Sequence, residues 1–279
     1  MVIRQRLVLG IVLGLSLGLV VYFGCGDDDG GPTTVSGPCW SGECPSGWSV
    51  EGYGCVYNGP TTTLSGDLIE FGSDTGVEGA RVQAYDNSVG VAIPVCADSG
   101  AGGAVSLSGI PADITAYKGK IGLKASKDAY KDTYQFGLAL GAVDETLWIV
   151  TEILYAAAPT MAGLVVDSTK GVVAGAVYFI NELDEEEEVG CATVNSDMGG
   201  DIRYFNDEGL PTTIANREDT NPSNGYFIAA NVSVGSTEIT ASVDAVEVGS
   251  VSIYSFADSI CINNIYVTGL TNPEPPDCE

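Results

Sequence analysis

No histidine occurs among the 279 residues. That absence removes the commonest general base, the usual zinc ligand and every Ser-His-Asp or Cys-His arrangement. Positive charge is scarce too: 11 Lys and Arg stand against 37 Asp and Glu, a formal charge of −26. Such a surface repels nucleic acid and anionic lipid heads, so a nucleic-acid partner is excluded. The cysteines include no C-x-x-C pair, the spacing that a zinc site favours. After residue 24 there are no long apolar runs, only short segments rich in Val, Ile and Tyr, broken by Gly, Asn and Asp. That punctuation predicts strands and turns, an all-β chain.

The one long apolar run comes first. Met1–Arg6 is short and basic, and Leu7–Gly24 is apolar apart from Ser16, the n-region and h-region of an export signal. Its length, about 18 residues, lies between a long signal peptide and a short spanning helix. A formal G-x-S-x-G match, Gly14–Gly18, falls inside this run with no histidine to activate Ser16, so it carries no hydrolase chemistry. Cys25 follows, and then the polar tether Gly26–Pro38, which has nothing to bury. Tyr22-Phe23-Gly24-Cys25 resembles the lipobox of bacterial lipoproteins, a small residue before an invariant cysteine. That resemblance implies cleavage before Cys25, diacylation of its thiol and a chain held on a membrane by lipid. Removal of residues 1–24 takes away Arg4 and Arg6 and brings the formal charge to −28. An uncleaved helical anchor is the alternative, and both place the body outside the cytoplasm of a bacterium, in its envelope, with the outer membrane expected.

The body repeats itself. Ser65–Tyr85 aligns with Ala162–Phe179, each reading as an apolar strand, a polar turn and a Gly-Ala step into a second strand, Gly79-Ala80 and Gly175-Ala176. Further on, Cys96 aligns with Cys191, Gly103–Leu107 with Gly225–Ala229, and Leu123–Ala129 with Ile239–Ala245. Apolar residues alternate at Ala80, Val82 and Ala84 and again at Ile239, Ala241, Val243 and Ala245, as sheets packed face to face require. Each unit has about 100 residues, a normal size for a sandwich. The expected order is a signal peptide (1–24), an acidic tether (25–38), a Cys-rich segment (39–60), sandwich one (61–157), sandwich two (158–270) and a tail (271–279). Sandwich two carries an insertion over 200–223, a length that in a compact domain marks a functional or a disordered loop. Gly163, Gly175-Ala176-Val177, Asn224–Phe227 and Gly235–Ser242 resemble the carboxypeptidase regulatory-like domain, which implies an immunoglobulin-like, transthyretin-type sandwich and a fold without a fixed activity.

Eight cysteines in an exported chain suggest disulfides, and with Cys25 assigned to lipid the candidates are Cys39, Cys44, Cys55, Cys96, Cys191, Cys261 and Cys278. Cys191 with Cys261 is the favoured pair. Cys96 is left to pair with Cys39, Cys44, Cys55 or Cys278. Asp197, Asp201, Asp207 and Glu208 are the candidate calcium ligands, because carboxylate oxygens suit that hard cation. Otherwise no cofactor is expected. The acid run Glu182–Glu188 reads as a solvated hairpin tip. Tyr204, Phe205 and Tyr226 are candidates for stacking on a sugar. These readings describe a non-catalytic spacer or adhesive module on a surface, with a membrane and an unknown surface protein or glycan as partners. The alternative is a specific binding module for glycan, peptide or calcium that uses the insertion.

Overall fold

A computed structural model describes residues 39–40, 43–51, 54–87, 89–113, 118–183, 185–211 and 217–267. The expected signal peptide and tether, Cys25, Cys278 and the tail lie outside the described residues. The Cys-rich segment forms a hairpin, β1 (Trp48–Glu51) and β2 (Gly54–Tyr57). Then come β3 (Thr61–Glu70), β4 (Thr75–Gly76), β5 (Arg81–Asp86), β6 (Ala92–Asp98) and β7 (Ala104–Pro111). The first repeat closes with β8 (Lys120–Ser126), β9 (Tyr130–Lys131), β10 (Thr133–Ala139) and β11 (Glu145–Thr151). Helix α1 (Glu152–Met161) leads into β12 (Gly171–Ile180), β13 (Glu186–Glu188), β14 (Thr193–Ser196) and β15 (Asp201–Tyr204). The chain ends its described part with β16 (Tyr226–Val232), β17 (Gly235–Val243), β18 (Val246–Ser255), β19 (Ile260–Ile262) and β20 (Ile265–Val267). The protein is all-β and builds two sandwiches.

The two repeats share a sheet. One ten-stranded sheet runs β15-β16-β12-β19-β10-β8-β5-β6, with β13 and β20 also paired to β12. A five-stranded sheet of β4, β3, β11, β9 and β7 completes the first sandwich, and a three-stranded sheet, β14-β17-β18, completes the second. The join is β19, which lies parallel to β10 on one side and to β12 on the other. The repeats are therefore fused edge to edge, not strung in tandem on a linker.

Alternation along the strands decides which layer each side chain meets. Just before and along β5, Ala80, Val82 and Ala84 at 0 % exposure fill the first core with Leu64, Leu68 and Leu107, as the period of two predicts. Burial of such aliphatic groups is the main favourable term, and trimming one of these leucines to alanine costs about 2–5 kcal/mol. In β12, Val173 and Val177 point to one core, whereas Val172 and Ala174 point to another on the opposite face. The same division separates Phe227 and Ala229 from Ile228 and Ala230 in β16, and Cys261 from Ile260 and Ile262 in β19.

The repeat is clearest at its turns. Ala129 and Ala245, paired by alignment, both take left-handed backbone, at φ 68° and 63°. Asp244 and Ala245 both have positive φ, which matches the tight turn that joins β17 to β18. The alternation expected through Ala245 thus ends at Val243. Gly103 and Gly225, also aligned, are left-handed as well, and each precedes the strand that follows it.

Three expectations need correction. The apolar stretch after Ala162 is not a ladder strand. Its backbone is held by one side chain, Asn231, whose amide donates to Val165 O at 3.0 Å and accepts from Asp167 N at 2.8 Å. Helix α1 was not expected. Thr151 caps it, its Oγ1 accepting from Leu154 N at 3.2 Å, and the Ala-rich stretch behind supports helix. The third concerns cysteines. Cys39 pairs with Cys96 and Cys44 with Cys55, at Cα separations of 5.6 and 5.5 Å. Cys191 is held in a disulfide but Cys261 is a buried free thiol, so the favoured Cys191–Cys261 pair does not form. The position of Cys261 on the apolar face of β19 explains this: burial pushes its thiol pKa up and keeps it a small hydrophobe.

Candidate functional site

The insertion and the junction of the two sandwiches meet around one cavity. Part of the insertion is regular: β15 pairs antiparallel with β16, Asp201 opposite Ala230 to Tyr204 opposite Phe227. Its far end is tied down by buried polar groups. Thr220, at 0 % exposure, donates from Oγ1 to Val189 O at 2.6 Å and accepts there from Ala192 N at 3.0 Å. Asn221 donates to Asp207 and accepts from Ser223 N at 2.7 Å. Asn224 donates to Asn206 O at 2.7 Å and accepts from Tyr226 N at 3.0 Å. Buried polar groups are tolerable when satisfied in this way. The insertion is therefore integral to the sandwich. Its excision would remove β15 and Thr220 and so report on folding before it reported on binding.

The four candidate calcium carboxylates are not brought together. Asp197 accepts from Thr237 Oγ1 at 2.7 Å and from Glu238 N at 3.0 Å, and these bonds hold its carboxyl below the usual range. Asp201 accepts from Asn231 Nδ2 at 3.0 Å, and Asp207 accepts from Asn221. The Asn206 side chain accepts from the backbone N–H of Glu208 at 3.1 Å, which fixes the turn after β15. Among the described residues no group of three or more acidic or sulfur ligands is placed to hold a metal. The acid run is a hairpin between β12 and β13, organised by Asn181, whose Oδ1 accepts from Leu183 N at 2.8 Å and Glu185 N at 3.0 Å.

The aromatic candidates turn inward. Tyr204 is buried, and its hydroxyl accepts from Val194 N at 2.8 Å. Phe205 is buried and sits edge-on to Tyr226, ring centroids 5.8 Å apart. Neither ring presents a free face for a sugar. Phe205 and Tyr226 instead line a cavity of about 70 Å³ between α1 and the shared sheet. Tyr155 and Ala158 from α1, Trp148 from β11 and Ala174 from β12 complete its main walls. Among the described residues no charged side chain lines it. Met161 is on its wall and 38 % exposed, which marks where the cavity approaches solvent.

Tyr155 is the unusual member. Among the described residues its hydroxyl is the one buried side-chain polar atom without a hydrogen-bond partner. Leaving such a group unsatisfied costs about 1–3 kcal/mol. Burial, reinforced by the charge of Asp258, pushes its pKa up to about 12. On the ring's face lies Lys131 Nζ, 4.7 Å from the centroid, while the same ammonium pairs with Asp258 at 2.6 Å. The sequence reading missed this site because its walls come from both repeats and from an unexpected helix. An apolar Ala-rich stretch at a repeat boundary was the available signal.

Two further contacts fix the junction around the cavity. Asn263 continues the β10–β19 ladder with its side chain: Oδ1 accepts from Phe136 N at 2.9 Å and Nδ2 donates to Phe136 O at 2.6 Å. Its own carbonyl oxygen lies so close to Gly175 that any Cβ there would collide with it. On the opposite face of the sheet, Tyr134 of β10 stacks on Phe256 with centroids 4.1 Å apart.

Comparison with protein-family models finds no match, and neither does comparison with curated proteins. Solved structures give weak overlaps only. The Bacillus anthracis TIE protein is 11% identical with a TM-score of 0.24, over 81% of this chain and 40% of that one. GBS52, the minor pilin of Streptococcus agalactiae, is 10% identical with a TM-score of 0.25, over 77% of this chain and 99% of that one. The shaft pilin SpaA from Lactobacillus rhamnosus GG is 8% identical with a TM-score of 0.23, over 76% of this chain and 100% of that one. This chain thus spans two fifths of the length of the TIE protein. At these values the overlaps carry no functional argument.

Proposed function

We propose that this chain is a non-catalytic module of a bacterial cell envelope, held on a membrane through lipid on Cys25 and acting as a stiff spacer or adhesive element. The observation that carries the reading is the shared sheet: β19 and Asn263 bond both repeats into one body, which suits transmitting position or force. A chain without histidine, whose candidate carboxylates Asp197, Asp201 and Asp207 are engaged as local acceptors, fits a structural role. Kinship with the carboxypeptidase regulatory-like domain belongs to this proposal and rests on the residues that carry the resemblance.

Cysteine parity supports the lipid anchor. Assigning Cys25 to lipid leaves seven cysteines, an awkward number. With Cys261 unpaired, six remain, an even count for disulfides. Mass spectrometry of the mature N-terminus tests the proposal directly. A diacylglyceryl group on an N-terminal Cys25 is the expected result. An intact Met1 would overturn the lipid anchor, and detection of Cys25 in a disulfide would overturn it equally.

A further inference from the structure

We propose that the cavity between α1 and the shared sheet is a binding site for a small neutral apolar molecule bearing one oxygen acceptor, which Tyr155 recognises. This does not depend on how the chain is anchored or on its role as a spacer. Three observations define the ligand. The walls are aromatic and aliphatic, drawn from Trp148, Ala158, Ala174, Phe205 and Tyr226, with no charged side chain lining them among the described residues. Such walls favour apolar groups and disfavour ions, which lose hydration on entry. The chain's charge of −26 adds a second barrier to anions. The cation on the Tyr155 ring, Lys131, is committed to Asp258, so it is not available to neutralise a carboxylate.

The volume sets the size. At about 70 Å³ the cavity is about half of one that holds benzene, so it takes a short alkyl group or one edge of a ring, with the rest of the molecule toward Met161. Recognition comes from Tyr155. Its hydroxyl is buried, unpartnered, and belongs to a residue on the wall. It stays protonated at neutral pH and so offers a donor. A neutral ligand oxygen is its complement: the ligand gains a hydrogen bond, and the protein loses an unsatisfied group. Because residues from both sandwiches and from α1 line the space, an occupant would also brace the junction and raise the melting temperature by linkage.

The test uses the full chain carrying [ε-13C]methionine. Met161 lines the cavity, whereas Met198 packs against the core on the opposite face of the shared sheet and serves as an internal control. Acetophenone, ethylbenzene and benzoate are titrated in turn. Acetophenone is expected to shift the Met161 methyl saturably in the millimolar range without moving Met198. Ethylbenzene, which lacks the oxygen, should bind about five- to tenfold more weakly, and benzoate should give no saturable shift. Tyr155→Phe should bring acetophenone down to the level of ethylbenzene. Ala158→Leu, which fills the space from the helix side, should abolish both. The proposal fails if neither neutral probe shifts Met161 saturably, if benzoate binds as well as acetophenone, or if Tyr155→Phe keeps the preference for acetophenone.

Discussion

The two sandwiches follow the same order of motifs but hold together by different means. The first has an aliphatic core, Leu64, Leu68, Leu107, Ile121 and their neighbours, and is stapled to the Cys-rich hairpin through Cys39–Cys96. The second buries aromatic rings such as Phe227 and Tyr204 and hides polar side chains, including Thr220, Asn221, Asn224, Thr237 and Ser255. The difference is instructive because the two devices respond to different insults. A staple acts by restricting the unfolded chain and is indifferent to neighbouring contacts. A buried network acts in the folded state and fails when any member is lost.

Breaking the staple should have the largest effect. The Cys39–Cys96 link has a sequence separation of 57 residues. By the chain-entropy account, a loop of that size contributes about 4 kcal/mol. Replacing both cysteines with alanine is therefore expected to lower the denaturation midpoint of the first sandwich strongly, read from the fluorescence of Trp48 and Trp148. Equal loss in a probe placed in the second sandwich would mean that the staple serves the whole body.

Asn263→Ala comes next. It leaves Phe136 N–H and C=O without partners in a buried place and should cost about 3 kcal/mol. More tellingly, it should split a single cooperative transition into two, since Asn263 joins the sandwiches. One unsplit transition in calorimetry would show that the β10–β19 ladder and the Tyr134–Phe256 stack couple them without Asn263.

Alkali should then distinguish the tyrosines. Tyr130 is raised to about 12 by its hydrogen bond to Glu70 and by burial, and Tyr226 to about 12 by burial and by Glu188. A raised folded pKa means that the unfolded chain ionises first. Stability is thus full below a free tyrosine's pKa of 10 and is lost as pH rises toward about 12. Ultraviolet titration should show these phenols ionising together with unfolding. Tyr130→Phe should flatten the loss in the first sandwich and Tyr226→Phe in the second.

The smallest effect belongs to Asp197. Its folded pKa lies below a free aspartate's 3.8, so its contribution is present above that pH and fades as pH falls below it. The side chain is exposed, so Asp197→Asn should lower the stability of the second sandwich slightly at neutral pH, and the difference from the parent should vanish in acid. A loss of the same size in acid would show that its bonds to Thr237 and Glu238 matter for more than charge.

Local rules made much of the fold legible. The alternation of Ala80, Val82 and Ala84 located β5, and the glycine-led steps at Gly103 and Gly225 located β7 and β16. What escaped was non-local. β19 has three residues, and nothing in Ile260–Ile262 specifies that it should lie between β10 and β12. The Cys191–Cys261 pairing failed for a related reason, since counting thiols says nothing of which face of a strand each one occupies. For the site, the insertion was visible as a length anomaly and the aromatics as residue types. Their inward orientation and the cavity depend on α1 and on walls from both repeats, which no single repeat reveals.

The position of β19 also sets an order of events in biosynthesis. β10 ends at Ala139, yet the strand that covers its open side is not made until residues 260–262. As the chain is made, the first repeat has all its own strands for more than a hundred residues of further chain while one side of β10 still exposes unpaired amides and carbonyls. Contacts closed so late are slow to form, and an open strand invites pairing with a second chain. The emerging chain is therefore most vulnerable after its first half has collapsed, and a chaperone that shields strands over that interval would raise the yield of the finished protein.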